Sequence, residues 1–84
     1  MNEKQIEALV LMMEECGELT QACSKVIRTE GAERYRKNLQ DEVGDVMCMV
    51  EILYKAGLID ETKLIGRMKR KQKKLEKWSN IFDS

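Results

Sequence analysis

The 84-residue sequence contains no proline and no histidine, and glycine occurs only five times. All-β folds need frequent turns, so this scarcity argues against sandwiches and barrels and favours long helices. No apolar run approaches the ~18 residues of a membrane span. The first residues also lack the pattern of a secretion signal. We therefore expect a cytoplasmic protein, with no membrane among its partners.

Cysteine is scarce, and its arrangement excludes two common uses. Cys16, Cys23 and Cys48 are odd in number, whereas a secreted disulfide framework needs an even count. A zinc site lacks support because there is no histidine and no C-x-x-C pair. We expect all three thiols to be reduced and buried in a core.

Charge is balanced overall but divided along the chain. Fifteen basic and fifteen acidic residues cancel, which excludes binding of nucleic acid by net charge alone. Positions 1–61 carry 13 acids and 7 bases, a net of −6, whereas positions 62–84 carry 2 acids and 8 bases, a net of +6. The basic run from Arg67 to Trp78 is either a solvated helix face or a phosphate-binding surface. No linker divides the parts, so residues 1–84 are predicted to form a single domain.

Apolar periodicity predicts three helices, at about 3–29, 33–56 and 61–78. Gly31 and Gly57 are placed to end the first and second helices, and Asp60 to cap the third, with Ile59 and Leu64 as a hydrophobic staple. The apolar stripe of the first helix comprises Ile6, Leu9, Val10, Met13, Cys16, Thr20, Cys23 and Ile27. That of the second comprises Leu39, Val43, Val46, Val50 and Leu53, and the inward face of the third comprises Leu64, Ile65, Met68, Gln72 and Leu75.

The second helix is apolar almost all round between Val43 and Tyr54, which is typical of a helix buried on every side. Two further helices of a short chain cannot easily cover it. We therefore predict an all-α fold in which a three-helix protomer assembles with partner chains into a four-helix-bundle-like oligomer. A homodimer or a homotetramer is expected.

The most informative feature is a pair of short acidic motifs. EECGE places Glu15 and Glu18 on one helix face, and DEVGD does the same for Glu42 and Asp45. Each pair is continued along its face by apolar residues, so the carboxylates should lie at the edge of a packed surface. Four converging carboxylates need a cation, and all-oxygen ligands favour Mg²⁺, with Mn²⁺ as the alternative.

A glycine occupies the same position in each acidic motif. Gly17 precedes Glu18 and Gly44 precedes Asp45, although each costs ~1 kcal/mol relative to alanine inside a helix. We expect them to allow a close approach of the two backbones, which would bring the carboxylates within reach of one ion.

With 23 residues between its two halves, this pattern resembles the EExxE…ExxD motif of the MazG-like nucleotide pyrophosphohydrolases. These belong to the all-α NTP pyrophosphatase superfamily. The stretches LMMEECGELTQACSKVIR, NLQDEVGDVMCMVEILYKAGLID and KRKQKKLEKWSN look like the short, single-domain phage and bacterial members. The resemblance covers nearly the whole chain.

The resemblance implies Mg²⁺-dependent hydrolysis of a nucleoside triphosphate to a nucleoside monophosphate and pyrophosphate. Carried over by motif position, the metal ligands would be Glu15, Glu18, Glu42 and Asp45, and Glu14 would orient or activate the attacking water. Candidates for phosphate binding are Lys69, Arg70 and Lys73 of the basic run, followed by Lys25 and Arg28. Tyr54 and Trp78 are candidates for stacking on the base, although packing at a subunit interface is at least as good an interpretation of both.

Other functions stay open. Phosphoribosyl-ATP pyrophosphohydrolase and a dUTPase-type enzyme share the acidic pattern and the size. A different class is a non-enzymatic helical module whose basic third helix binds nucleic acid or an acidic partner. The paired carboxylates argue against this module, because simple binding does not need them at the margin of a core.

Overall fold

The computed structural model describes residues 1–83, which form three α-helices joined by short turns, with no strand in that range. Helix α1 spans Glu3–Arg28, α2 spans Glu33–Lys55 and α3 spans Glu61–Trp78. The all-α prediction is confirmed, and the helix bounds agree with the sequence-based ones to within one or two residues. No helix in the described range is both long and apolar enough to cross a membrane.

Side-chain caps begin two of the helices. The Asn2 side chain accepts from the backbone N–H of Gln5 at 2.8 Å, and the Gln5 side chain accepts in return from the backbone N–H of Asn2. This is a capping box, and it satisfies donors that a helix leaves unpaired. Asp60 accepts from the backbone N–H of Lys63 at 2.8 Å, so its predicted capping role is confirmed.

Left-handed residues end α1 and α2. After α2, Gly57 has φ +77 and donates to the Tyr54 carbonyl at 3.0 Å, while Leu58 donates to the Leu53 carbonyl at 3.0 Å. These two bonds form a Schellman motif, so Gly57 ends the helix as predicted. The same pair of bonds follows α1, but there the left-handed position after the cap is Glu30, at φ +54. Gly31, the expected stop, comes one residue later and is also left-handed.

Helices α1 and α2 pack antiparallel and form a narrow core. The side-chain amide of Gln5 donates to the carbonyl of Ala56 at 3.0 Å, which joins the start of α1 to the end of α2. Ala8 is buried against Met49 and Leu53 of α2. The seam between these two helices therefore orders the molecule, and it positions the acidic residues.

Most of the apolar face predicted for α1 does not lie in this seam. Leu9 packs against the core, but Ile6, Val10, Met13 and Ile27 are exposed, whereas Ala8 and Ala22 are buried. The difference is rotational, because α1 turns the stripe of Glu15, Glu18 and Ala22 toward α2 and leaves most of its large apolar side chains on an open side. The prediction of buried cysteines is also wrong for the single chain, since Cys16, Cys23 and Cys48 are all exposed.

Helix α3 does not pack along the other two. None of its residues is buried, so the predicted inward face of Leu64, Ile65, Met68, Gln72 and Leu75 is not covered within one chain. Only its first turn approaches α2, where Leu64 borders a hollow with Met47, Val50 and Tyr54.

The chain is open and flat, with extents of 43 × 31 × 15 Å. Its radius of gyration is 15.3 Å, whereas a compact domain of this length has about 12 Å. Its accessible surface is 7124 Å², about 2,000 Å² more than a folded monomer of this mass exposes. A single copy therefore exposes more surface than a compact domain of this size does, and large apolar side chains such as Val10, Met13 and Met47 are part of it.

Replacing Glu30 by glycine should raise the free energy of unfolding by about 1 kcal/mol, because glycine adopts positive φ without steric cost. Gly31→Ala, at φ +81, is the matched control and should lower it. Urea unfolding at one fixed protein concentration measures both. An unchanged or lower midpoint for Glu30→Gly would contradict the left-handed turn.

Candidate metal centre

Three carboxylates converge at the α1–α2 seam. Glu15 and Glu18 are three residues apart on α1, and Glu42 lies opposite them on α2. One oxygen from each of the three lies within 4.8 Å of the others. The helix spacing and the antiparallel packing together place these groups, since neither helix alone brings more than two of them to one point.

Two of the converging oxygens are covered and unpaired. Oε2 of Glu15 and Oε2 of Glu42 are both shielded from solvent, and neither has a hydrogen-bond partner. Buried polar atoms are nearly always paired, because leaving one unsatisfied carries a desolvation penalty. These atoms are therefore the clearest sign that the seam is built to hold something positive.

Electrostatics support the same interpretation. Burial, followed by the negative charge of Glu18, raises the pKa of Glu15 and of Glu42 above the ordinary value of 4.5. The charge of Asp45 adds to both shifts. In the described part of the chain, the ion pairs are Glu33–Lys37 and Glu51–Lys55, so no lysine or arginine neutralises the three carboxylates.

Asp45 and Glu14 border the cluster without belonging to it. Asp45 is exposed and acts on Glu15 and Glu42 through its charge. Glu14 is also exposed and contributes the weakest of the effects that raise the pKa of Glu15. Of the five predicted acidic residues, the structure thus brings three together, with Asp45 and Glu14 beside them.

The glycines do not have the expected role within one chain. A Cβ atom added to Gly17 or to Gly44 would meet nothing within 4 Å, apart from the helix that carries it. The expectation that these glycines allow a close approach of the two backbones is therefore wrong for the α1–α2 pair. Both glycines are exposed, away from the packed seam.

Lys25 and Arg28 lie near the turn between α1 and α2, together with a pair that sequence reasoning missed. The guanidinium of Arg34 lies 4.5 Å from the centroid of the Tyr35 ring, and it donates a hydrogen bond to the phenol oxygen. That hydrogen bond and the charge of Arg34 lower the pKa of Tyr35, with smaller contributions from Lys25 and Arg28. Arg34 therefore contacts this phenol directly, and Lys25 and Arg28 act on it through their charge.

The candidates on α3 are not brought to the carboxylates. Lys69 and Lys73 border a shallow hollow made entirely of α3 side chains, with Gln72 and Glu76. Arg70 lies over Gly66 of the same helix. Their role in phosphate binding stays a prediction.

The two aromatic candidates are also apart from the cluster. Tyr54 is 44% exposed and lies nine residues beyond Asp45, about 13 Å along α2. Trp78 is 79% exposed, with the Lys77 ammonium 5.7 Å from its ring centroid. Neither ring reaches the carboxylates within one chain, so stacking on a base stays a prediction.

No protein-family model, no curated protein and no solved structure matches the chain. The chemistry of the side chains at the seam therefore carries the interpretation of the site.

The two raised pKa values predict an unusual pH dependence of stability without metal. A carboxyl whose pKa is raised by folding contributes stability that is fully present below about pH 4.5 and is lost as the pH rises through its folded-state pKa. With a chelator present, the wild-type unfolding midpoint should therefore fall over this range. Glu42→Gln should reduce the fall.

Glu7→Gln, which changes an exposed carboxylate of α1 outside the cluster, is the control and should follow the wild type. Thermal unfolding in chelator across a pH series measures all three proteins. Parallel profiles for the wild type and Glu42→Gln would show that folding does not raise the pKa of Glu42.

Proposed function

We propose that the chain is a Mg²⁺- or Mn²⁺-dependent hydrolase that cleaves nucleoside triphosphates to a nucleoside monophosphate and pyrophosphate. The observation that carries the proposal is the pair of covered, unpaired oxygens of Glu15 and Glu42 beside Glu18. The resemblance to the MazG-like enzymes supplies the reaction, since the acidic cluster itself indicates only a cation.

The residues fit a hard divalent cation. All donors are carboxylate oxygens, which Mg²⁺ and Mn²⁺ prefer, and no thiol or imidazole is among them. Oxygens within 4.8 Å of one another are close to the ~4.2 Å that separates opposite ligands of an ion with 2.1 Å bonds. Glu15, Glu18 and Glu42 would hold the ion, and Asp45, whose charge acts on Glu15 and Glu42, would be the fourth ligand.

When bound, such an ion supplies positive charge to the phosphates and makes water more acidic. The chain's own residues then have distinct tasks. The Glu14 carboxylate would accept a proton from the attacking water. That water forms a bond to the α-phosphorus as the bond from this phosphorus to the bridging oxygen breaks, and pyrophosphate leaves. Little covalent help from the protein is needed, because phosphoryl transfer depends on positioning and charge stabilisation.

The remaining parts of the substrate need cationic and aromatic partners. Lys25 and Arg28 lie in the last turn of α1, whereas Lys69, Arg70 and Lys73 lie on α3. Tyr54 and Trp78 are the aromatic side chains proposed to stack on a base. A phosphoribosyl-ATP or dUTP preference would change this outer part of the site and leave the carboxylates unchanged.

We further propose that the active form is a homo-oligomer in which α1–α2 pairs combine into a four-helix bundle. The excess surface of about 2,000 Å² exceeds the ~800 Å² that each partner contributes to a standard interface. Val43 and Met47 leave an apolar stripe on α2 open, and Ile6, Val10 and Met13 leave another on α1. A second copy would cover both stripes with surfaces of the same kind.

Glu18→Gln and Asp45→Asn should each reduce triphosphate turnover to background, because each removes a negative oxygen ligand while keeping the shape of the side chain. A panel of ribo- and deoxyribonucleoside triphosphates with Mg²⁺ or Mn²⁺, together with phosphoribosyl-ATP, measures activity and identifies the products. Glu7→Gln is the matched control and should keep full activity.

Circular dichroism should show the same helix content in all these variants. Full activity in both amide variants would refute the site. Release of orthophosphate in place of pyrophosphate would refute the reaction, and salt-sensitive binding of nucleic acid without any turnover would favour the binding module.

Met47→Glu should convert the oligomer into a monomer, since it places a charge on the open apolar stripe, where Met47 is 66% exposed. Light scattering should give two or four times the 9.8 kDa chain mass for the wild type and one chain mass for the variant. Cys48→Glu puts the same charge on the next residue, about 100° around the helix. The Cys48→Glu protein should stay oligomeric. A monomeric wild type would exclude the proposed assembly.

A further inference from the structure

The α1–α2 seam continues past the carboxylates to a second, cationic group. Lys25 lies seven residues after Glu18 on α1, and Tyr35 lies seven residues before Glu42 on α2. Seven residues are about two helical turns, or roughly 10 Å. Because the helices are antiparallel, both steps lead in the same direction, toward the turn at 29–32. The cationic group is thus on the same stripe of the molecule as the acidic cluster.

Four side chains form the cationic group: Lys25 and Arg28 from α1, and Arg34 and Tyr35 from α2. Arg34 is held by its hydrogen bond to the Tyr35 phenol and by its position over the ring, so its guanidinium has a defined place. Lys25 is half-buried, and with Arg28 it acts on the same phenol through its charge. Positive charge from both helices therefore acts on one region, around the Tyr35 phenol.

These charges are not neutralised within the part of the chain that the structure describes. Lys25, Arg28 and Arg34 form no ion pair there. Glu33, the acid next to Arg34 in the sequence, is paired with Lys37 at 3.6 Å. Helix α2 also begins without a side-chain cap, since Ala32 precedes it. Three cations, Lys25, Arg28 and Arg34, stand against one unpaired acid of the turn, Glu30, so the net charge here is +2. This excess of positive charge and of backbone donors attracts anions.

The floor between the two groups carries no charge. Ala22 is buried at 1% exposure on the α1 side, and Asn38 is half-buried on the α2 side. A chain of phosphates that leaves the carboxylates in this direction meets a small apolar side chain and an amide, and then the cations. In the opposite direction the seam leads to the apolar core around Ala8 and Leu53, which would reject phosphate.

We propose that Lys25, Arg28, Arg34 and Tyr35 form the binding site for the terminal phosphates of a triphosphate whose reacting end is held at the carboxylate cluster. The inference rests on the proposed function and adds the direction in which the triphosphate lies along the seam. The α-phosphate lies at the acidic end of the seam, and the β- and γ-phosphates extend toward the turn between α1 and α2. The substrate class is a nucleotide with three phosphates, since a monophosphate would not reach the cations.

Product inhibition separates the two ends of the substrate. Pyrophosphate carries the β- and γ-phosphates, whereas the nucleoside monophosphate carries only the α-phosphate. Arg34→Ala and Lys25→Ala should each raise KM for the triphosphate and the inhibition constant of pyrophosphate by about tenfold, the effect of one charge-assisted hydrogen bond. The inhibition constant of the monophosphate should change by less than about twofold.

Arg36→Ala is the matched control, because Arg36 is also an exposed arginine next to Tyr35 but lies on the opposite side of it, about 200° around the helix from Arg34. It should leave unchanged the KM for the triphosphate and the inhibition constants of pyrophosphate and of the monophosphate. The inference is overturned if the monophosphate constant rises as much as the pyrophosphate constant. It is also overturned if Arg34→Ala behaves like Arg36→Ala.

A binding measurement distinguishes failure of this inference from failure of the proposed function. Calorimetry with inorganic tripolyphosphate, on the Glu18→Gln full-length protein, needs no turnover. Affinity should fall about tenfold when Arg34→Ala is added and should be unaffected by Arg36→Ala. If the wild type hydrolyses no triphosphate but this pattern holds, the anion site stands and the reaction is wrong. If tripolyphosphate binds equally to all three proteins, the anion site is wrong.

Discussion

The convergence of Glu15, Glu18 and Glu42 at one point of the α1–α2 seam is the constraint on which the rest of the structure depends. Three carboxylates this close repel one another, and two of them have a covered oxygen without a partner. The core of the helix pair consists of Ala8, Met49 and Leu53, with the partly buried Leu9, Met12, Leu58 and Ile59 packed against them. A core this small has little free energy to oppose that repulsion, so a bound cation would stabilise the helix pair as well as serve the chemistry.

Assembly and site are connected through the same helices. Outside the seam, α1 and α2 expose large apolar side chains such as Met13 and Met47, and α3 is not folded back onto either helix. A partner that covers these side chains would fix the orientation of both helices and with it the spacing of the carboxylates.

Local signals in the sequence predicted the elements well, because each depends on a few neighbouring residues. The Asp60 cap, the Gly57 stop and the grouping of acids three residues apart are of this kind. The choice of core face was wrong for most of α1 and for α3, although Leu9 and Leu53 do pack in the core. Periodicity shows that a helix has an apolar side but not whether that side meets its own chain or another. The Arg34–Tyr35 pair was missed, although the seven-residue steps from Glu18 to Lys25 and from Glu42 to Tyr35 pointed to it.

Diffraction from crystals grown with Mn²⁺, recorded at the manganese absorption edge, tests the central claim most directly. The account predicts an anomalous peak between the carboxylates of Glu15, Glu18 and Glu42, within coordination distance of Oε2 of Glu15 and Oε2 of Glu42. Carboxylates that spread apart into solvent, with no anomalous density between them, would contradict it.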